Sequence, residues 1–466
     1  MKRGRWFFAK ISGRRRIGKT TLVQQALVTT DRVFYVQIPD SAVAGVLTAV
    51  HDAFDTFAIP PAISSRPRSL SELADALGAM ARAGYVVVVD EFQYFHRKNL
   101  SEFPSHLQRV VDELGRHASR VPGGLFVLGS IHTEMEALLN ERRAPLFNRV
   151  TDDIVIEHLD IASVLEILRA HTEATPERLL FLWNLFEGVP KFYKDCWEQD
   201  VLAHTRQELL RRIFFQSSAP LRNEADNWFL NELRGRYEII LKYVARNPGC
   251  MNGDLLAYLK ELNPGANDQA AGYIKILMDK YRMIVRRQPI FARRSERSGR
   301  YYVEDNFLRS WLHALSKSVA AVHFRPEEVL LAQADHALED AEGYGLEKLA
   351  GILYEERSRK SLPGFALTSR IQGYWDSADT EIDLVALDEE RETIRFGTCR
   401  RAPASLLSSL TTTEGHIARF LATHRKYQAW RPERVAITPT IDPSLRAEIE
   451  ARGWIAEDVN DLVRGL

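Results

Sequence analysis

The chain has 466 residues, of which 45% are hydrophobic, and its 62 lysines and arginines are balanced by 62 aspartates and glutamates. This length predicts about three domains, and the charge balance excludes a uniformly basic or acidic protein, so partners must be inferred from local clusters. The cysteines are Cys196, Cys250 and Cys399, a spacing that excludes a cysteine metal site and a disulfide framework and indicates a reducing compartment. Without an apolar stretch of transmembrane length or a signal peptide, we expect a cytoplasmic protein that contacts no membrane.

The first predicted strand, at residues 6–11, runs into a glycine-bounded loop. The segment Gly13-Arg14-Arg15-Arg16-Ile17-Gly18-Lys19-Thr20 matches the P-loop pattern G-x-x-x-x-G-K-[ST], and helical spacing begins at Thr21. The glycines permit a tight turn whose N–H groups face phosphate oxygens, Lys19 can reach the β- and γ-phosphates, and Thr20 can ligate Mg²⁺. The alternative is a chance glycine turn before a helix. The sequence therefore predicts that residues 13–21 bind ATP with Mg²⁺, the contacting residues being Gly13, Arg14, Arg15, Arg16, Ile17, Gly18, Lys19, Thr20 and Thr21.

A β-branched run, Tyr85-Val86-Val87-Val88-Val89, ends in Asp90 and Glu91. An apolar run of this length predicts a strand buried on both faces, as in a parallel sheet. Because open α/β sheets bind ligands at the carboxyl ends of their strands, Asp90 is expected beside the P-loop. We predict that Asp90 helps to hold Mg²⁺ and that Glu91 is the base that polarises the attacking water.

Strand and helix patterns alternate through residues 1–157, which predicts a doubly wound parallel α/β sheet. Further strands are predicted at 32–38, 124–129 and 153–156, and helices at 42–57, 70–83 and 107–117. Ser130 follows a strand expected next to the Asp90 strand, where it either senses the γ-phosphate or caps the following helix. Arg149 precedes the last strand, where it either reaches a γ-phosphate, in its own or a neighbouring subunit, or is structural.

These segments together resemble the archaeal-type P-loop ATPase family, which belongs to the STAND clade related to the AAA+ ATPases. The resemblance rests on the P-loop, Val86 to Tyr94, Leu128-Gly129-Ser130 and Leu146-Phe147-Asn148-Arg149, and on Gly188-Val189-Pro190, which is similar to the Gly-x-Pro motif of the family's helical lid. It implies that Pro190 lies against the adenine; Gly188 and Pro190 also suit a simple helix break. Members carry a longer segment before the first strand, so we expect either weakened nucleotide binding here or a different start.

The helical spacing of residues 158–232 suits a lid and a connector. The pattern of residues 233–315 predicts a winged-helix domain. Three helical patterns are followed by two strands around a basic turn, which is the pattern of many DNA-binding modules. Clustered cations suit phosphate contacts with double-stranded DNA, whereas contact with a protein is the alternative use of such a domain. The candidate DNA-binding residues are Lys275, Arg286, Arg287, Arg293, Arg294, Arg297 and Arg300.

After a predicted linker helix at 316–340, residues 341–466 resemble a restriction-endonuclease-like domain. Glu347 fits the acid on its helix and Asp383 the metal-binding aspartate, but Phe396-Gly397-Thr398-Cys399-Arg400 stands where Phe-Gly-Glu-Cys-Lys is expected. Thr398 supplies no anionic Mg²⁺ ligand, and Arg400 does not release a proton as a lysine can. We therefore predict a degenerate nuclease site made of Glu347, Asp383, Thr398 and Arg400.

Three functional hypotheses follow. The first is an ATP-hydrolysing molecular switch that binds DNA through its winged helix. The second is a non-hydrolysing, nucleotide-gated scaffold that contacts protein partners, or further copies of itself, in a defence or mobile-element complex. The third is an ATP-regulated, Mg²⁺-dependent DNA nuclease, which the departures at Thr398 and Arg400 disfavour.

Overall fold

The structure, a computed structural model, describes residues 4–130, 132–226, 235–262, 267–292 and 298–466. The chain divides into two compact units, Met1–His158 and Leu159–Leu466. The first ends one residue beyond the predicted limit of the P-loop region. None of the described helices combines the length and the apolar composition needed to cross a bilayer.

The first unit alternates strands and helices along its whole length. Its strands are β1 Phe8–Gly13, β2 Val33–Gln37, β3 Val86–Asp90, β4 Gly124–Gly129 and β5 Asp152–Ile156. Its helices are α1 Lys19–Leu27, α2 Val43–Thr56, α3 Leu70–Arg82, α4 Phe103–Arg116 and α5 His132–Leu139, with 3-10 turns at Phe92–His96 and Ala118–Arg120. Within the described residues the strands form a five-stranded parallel sheet in the order β2-β3-β4-β1-β5, which confirms the predicted α/β class.

Strand β3 shows why this sheet forms a core. Successive side chains of a strand point to opposite faces. Val87 and Val89 therefore pack into a large apolar cluster with residues of α2 to α5, while Val86 and Val88 pack with α1 on the other face. All five residues of β3 are buried, as the uninterrupted valine run predicts. The order β3-β4-β1 places the carboxyl ends of these three strands side by side at one edge.

The second unit begins with helices and a small sheet. The helices are α6 Ile161–His171, α7 Pro176–Phe186, α8 Pro190–Glu198, α9 Arg206–Leu210, α10 Arg236–Arg246, α11 Asn252–Leu262 and α12 Asn267–Asp279. The strands β6 Cys250–Met251, β7 Ile284–Arg287 and β8 Arg300–Val303 pair antiparallel in the order β6-β8-β7. Within the described residues, the helices α10 to α12 are followed by the strands β7 and β8, in the order that the sequence predicts, and the assignment as a winged helix stays a prediction. Arg293, Arg294 and Arg297 lie outside the described residues.

The remainder of this unit contains a mixed sheet. After α13 Asn306–Ser310, α14 Ser316–Ala320 and α15 Glu327–Arg359 come β9 Gln372–Trp375, β10 Glu381–Asp388, β11 Thr393–Cys399, α16 Pro403–Thr423, β12 Arg431–Thr438, α17 Pro443–Ala451, β13 Ile455–Asp458 and α18 Val459–Val463. The sheet order is β13-β12-β11-β10-β9. Strand β10 is antiparallel to both neighbours, whereas β11, β12 and β13 run parallel. The nuclease-like assignment of this region stays a prediction.

Helix α15 runs through one predicted domain boundary. Residues 316–320 form the separate helix α14, whereas the rest of the expected linker helix from Glu327 onward and the expected start of a domain at 341 fall on one continuous helix of 33 residues. Gly345, inside this helix, allows close packing instead of breaking it: a Cβ there would lie 2.3 Å from Oδ1 of Asn184 on α7. Packing against α7 thus outweighs the low helix propensity of glycine.

Candidate nucleotide site

The loop between β1 and α1 has two positions that favour glycine, Gly13 and Gly18. Gly18 ends the loop in the left-handed region, with φ 93° and ψ 18°, directly before α1 begins at Lys19. At Gly13 a Cβ would lie 2.5 Å from the carbonyl oxygen of Ile156, so only glycine fits there. The first N–H groups of a helix have no partner within it, and they carry its positive dipole end. The loop therefore leads directly into a helix N-terminus, whose free N–H groups suit phosphate.

The Lys19 side chain folds back into this loop. Its Nζ donates hydrogen bonds of 3.0 Å to each of the carbonyl oxygens of Gly13 and Arg14. Burial lowers the pKa of Lys19 to about 8, although the nearby carboxylates of Glu91 and Asp90 favour the charged form. Because burial leaves the Lys19 ammonium poorly solvated, we expect an anionic ligand to stabilise its charged form.

Asp90 receives hydrogen bonds from three residues of the first unit. Its Oδ2 accepts from the Thr20 hydroxyl at 2.6 Å and from the Tyr35 hydroxyl at 2.9 Å, and its Oδ1 accepts from the N–H of Glu91 at 2.8 Å. The sequence predicted the meeting of Thr20 and Asp90 but missed Tyr35. The sequence predicted a strand that contains Tyr35, but the pairing of this strand with the Asp90 strand comes from the structure.

Glu91 lies in the turn that follows β3, next to Asp90. Its backbone is left-handed, with φ 54° and ψ 38°, which is uncommon for a residue other than glycine, asparagine or aspartate. The Gln93 amide Nε2 donates a hydrogen bond to Glu91 Oε2, and the Ser130 hydroxyl lies 3.5 Å from the same oxygen. The predicted residues Glu91 and Ser130 are thus neighbours, whereas Gln93 was not foreseen.

These residues suit Mg²⁺ and a nucleoside triphosphate. Thr20 and Asp90 present a hydroxyl and a carboxylate oxygen 2.6 Å apart, and such hard oxygen ligands are those that Mg²⁺ prefers. Lys19 and the glycine-bounded loop supply the positive charge and the close backbone approach that phosphate requires. The half-buried Glu91 lies at the same edge, where it can contact a water molecule next to a terminal phosphate.

The structure does not bring Arg149 to this edge. Arg149 precedes β5, and Thr151 donates a hydrogen bond to the carbonyl of Phe8, the first residue of β1, so Arg149 lies at the amino edge of the sheet. Its Nε and Nη2 bind Oδ1 and Oδ2 of Asp112 on α4, at 2.6 and 3.0 Å. A contact with the nucleotide of its own subunit is therefore contradicted, since the P-loop follows the opposite end of β1. A contact with a neighbouring subunit stays a prediction.

Pro190 belongs to the second unit, where it is the first residue of α8. A proline suits this position because the first helical N–H needs no partner. Gly188 is required by packing: a Cβ there would lie 2.2 Å from the carbonyl oxygen of Leu159, and its own carbonyl accepts a 2.8 Å hydrogen bond from Leu159 N. The helix-break interpretation thus has a structural basis, and the adenine contact stays a prediction.

Four of the cations predicted to bind DNA lie within the described residues, and these four fall into two groups. Arg300 forms a two-pronged ion pair with Glu381 on β10, at 2.6 and 3.4 Å, and its guanidinium lies 4.7 Å from the ring centre of Trp375. Arg287 donates to the Tyr344 hydroxyl at 3.2 Å and lies 3.6 Å from Glu304. Lys275 and Arg286, by contrast, are exposed. The structure therefore commits Arg287 and Arg300 to contacts within the chain.

The predicted degenerate nuclease residues do converge. Oδ2 of Asp383 accepts hydrogen bonds from the Thr398 hydroxyl at 3.1 Å, from Cys399 N at 2.8 Å and from Arg400 at 2.9 Å. Burial, and then the charge of Asp383, raise the pKa of Glu347 well above its ordinary value. Within the described ranges, no group of three or more histidine, cysteine, aspartate or glutamate residues could hold a metal ion. The Arg400 guanidinium thus binds the Asp383 carboxylate oxygen that a metal ion would need as a ligand.

No protein-family model matches this chain. An uncharacterized protein of Methanocaldococcus jannaschii is 24% identical over 392 residues, which are 84% of this chain and 81% of that protein. A Walker-type ATPase of Pyrococcus abyssi superposes with a TM-score of 0.48 at 16% identity, covering 66% of this chain and 90% of that one. The ORC2 protein of Aeropyrum pernix, in ADPNP and ADP complexes, superposes with a TM-score of 0.42 at 16% identity, covering 72% of this chain and 88% of that one. Likenesses of this extent establish neither a family nor a function for the chain.

Proposed function

We propose that this protein binds ATP with Mg²⁺ and hydrolyses it to ADP and phosphate. The observation that carries the proposal is the 2.6 Å hydrogen bond between Thr20 and Asp90, beside a P-loop whose lysine is already folded back into the loop. A chance glycine turn would not also place a buried carboxylate, from a strand two positions away in the sheet, against the hydroxyl that follows the lysine.

Each residue has a distinct role in this proposal. Lys19 binds the terminal phosphates and compensates the charge that develops on them, and Thr20 and Asp90 hold Mg²⁺. When bound, Mg²⁺ supplies neutralisation of phosphate charge. Glu91 orients the attacking water and accepts its proton. Ser130, whose hydroxyl lies 3.5 Å from Glu91 Oε2, contacts the γ-phosphate in this proposal.

The test is phosphate release from ATP by the wild-type protein and two variants. Lys19→Ala is expected to abolish nucleotide binding and turnover. Glu91→Gln is expected to bind ATP normally and to hydrolyse it at least about 100-fold more slowly, since the base is lost. Glu102→Gln, an exposed residue at the start of α4, is the matched control. Normal turnover in Glu91→Gln would exclude Glu91 as the base.

We also propose duplex DNA as a partner of the second unit, with ATP hydrolysis acting as a switch. The supporting observation is that Lys275, Lys280, Arg282 and Arg286 are exposed on or after α12 and on β7. Exposed cations on one helix and an adjacent strand suit phosphate contacts. Phosphate release measured with and without duplex DNA tests the proposal: stimulation that is lost in Lys275→Ala supports it. An unchanged rate would favour the protein-binding scaffold.

A further inference from the structure

The side chain of Gln93 is buried beside Glu91. Only 1% of this residue is exposed, and it lies in the 3-10 turn Phe92–His96 that follows β3. Its Nε2 donates to Oε2 of Glu91, while its Oε1 accepts no hydrogen bond within the described residues. The Glu91 carboxylate is therefore the polar partner of a buried amide that is otherwise incompletely satisfied.

Packing holds this amide in place. Gly129 ends β4, and a Cβ there would lie 2.8 Å from Gln93 Oε1 and 2.4 Å from Sδ of Met135 on α5. The absence of a side chain at Gly129 thus leaves the space that the Gln93 amide and the Met135 thioether fill. The amide is confined between the ends of β3 and β4, the two strands that Glu91 and Ser130 directly follow.

Such an arrangement reduces folding stability, since a buried amide oxygen is left unpaired. Local violations of this kind are expected where a residue serves a site. The benefit is geometric. A glutamate in a left-handed turn has three side-chain torsions, and a charge-assisted hydrogen bond from a packed donor restricts its carboxylate to one position.

We propose that Gln93 is the positioning residue for Glu91: its packed amide holds the Glu91 carboxylate beside Ser130, where it can orient the attacking water. This inference rests on the proposed hydrolysis of ATP. Gln93 itself contacts neither the nucleotide nor the water in this scheme. It acts through Glu91, so its effect must disappear when Glu91 no longer serves as the base.

The experiment compares Gln93→Leu and Gln93→Glu with the wild type in the full chain. Gln93→Leu removes the donor and leaves an apolar side chain of similar size. Gln93→Glu places a second carboxyl group of the same shape beside Glu91, so the buried pair retains a proton and Glu91 is a poorer base. We expect kcat to fall about 10- to 100-fold in each, while KM and the affinity for a fluorescent ATP analogue stay within about twofold of wild type. Retained binding shows that the site has folded. Gln108→Leu, on α4 and outside these contacts, is the matched control.

A double-mutant cycle separates positioning from a general structural effect. In the Glu91→Gln background, Gln93→Leu is expected to lower turnover no further, because the two residues act as one unit. The proposal is overturned if the loss is equally large in that background, if kcat is unchanged or rises in Gln93→Leu, or if only KM changes. If the wild type releases no more phosphate than Lys19→Ala, the ATPase proposal fails, and the role of Gln93 fails with it. That outcome differs from failure of the inference alone, in which the wild type is active.

Discussion

The hydroxyl of Tyr35 on β2 donates a 2.9 Å hydrogen bond to Oδ2 of Asp90 at the end of β3. The strands are parallel neighbours, so the tyrosine reaches the same oxygen that accepts from Thr20. Burial, and then the charge of Asp90, raise the pKa of Tyr35 well above its ordinary value. Tyr35 therefore stays a neutral donor that fixes the orientation of the Asp90 carboxylate.

Tyr35→Phe removes this donor and leaves the ring. We expect the Mg²⁺ concentration that gives half-maximal ATP hydrolysis to rise about tenfold, because partners of a metal-ligand carboxylate tune its affinity for the metal. A Mg²⁺ titration of phosphate release measures the change. Tyr85→Phe removes a hydroxyl from the residue that precedes β3 and serves as the control. An equal effect in both variants would argue against a specific role of Tyr35.

Lys19→Met tests the electrostatics of the P-loop in the nucleotide-free protein. The unfolded chain binds more protons than the folded chain between pH 8 and 10.5, because burial depresses the Lys19 pKa from 10.5 to about 8. Wild-type stability relative to Lys19→Met should therefore rise with pH across this window, by up to about 3 kcal/mol. Thermal or urea unfolding at several pH values measures the difference. A constant difference from pH 7 to 10.5 would mean that Lys19 is not desolvated.

Arg149→Ala and Asp112→Ala should behave alike. The two residues form one ion pair at the amino edge of the sheet, with the arginine side chain 25% and the aspartate side chain 41% exposed. We expect each variant to lose about 1 kcal/mol of unfolding free energy or less, with ATP turnover retained. Urea unfolding and phosphate release measure the two quantities. If Arg149→Ala alone abolished turnover, the arginine would serve the site of a neighbouring subunit.

The two groups of cations on the predicted winged helix should differ in their effect on DNA affinity. Lys275→Ala and Arg286→Ala are expected to weaken binding to any duplex and to lower the slope of log affinity against log salt by about 1 each. Arg300→Ala should leave the duplex affinity within about twofold of wild type and the salt slope unchanged, because Arg300 is paired with Glu381. Binding of labelled duplex at several salt concentrations measures these effects. The reverse order would show that the ion pair opens when DNA binds.

The degenerate nuclease site should neither bind Mg²⁺ nor cleave DNA. The Arg400 guanidinium lies 2.9 Å from Oδ2 of Asp383, in the place where a cation would be held. Combining Thr398→Glu with Arg400→Lys restores the expected acid and lysine, and we expect this variant to bind an additional Mg²⁺ in calorimetry. Adding Asp383→Asn should abolish the new binding. Mg²⁺-dependent nicking of plasmid DNA by the wild type would contradict the prediction.

Much of the first unit follows from local sequence. The valine run at 86–89, the glycines at 13 and 18 and the strand and helix periods act over a few residues, so their consequences are predictable. The parallel sheet is confirmed, and Thr20 does meet Asp90. Tyr35 and Gln93 were missed because a tyrosine and a glutamine have no motif of their own. Their roles come from strand order and from the space left at Gly129.

The sequence by itself determined which residues have the chemistry for phosphate, Mg²⁺ and proton transfer, since side-chain type and short spacing are local properties. Only the tertiary structure decided which of them act together. It turned Arg149 toward Asp112, paired Arg300 with Glu381 and joined residues 327–359 into one helix. The reason is that a charged or amide side chain binds whichever partner packing brings within hydrogen-bond distance, and packing depends on contacts between residues far apart in the chain.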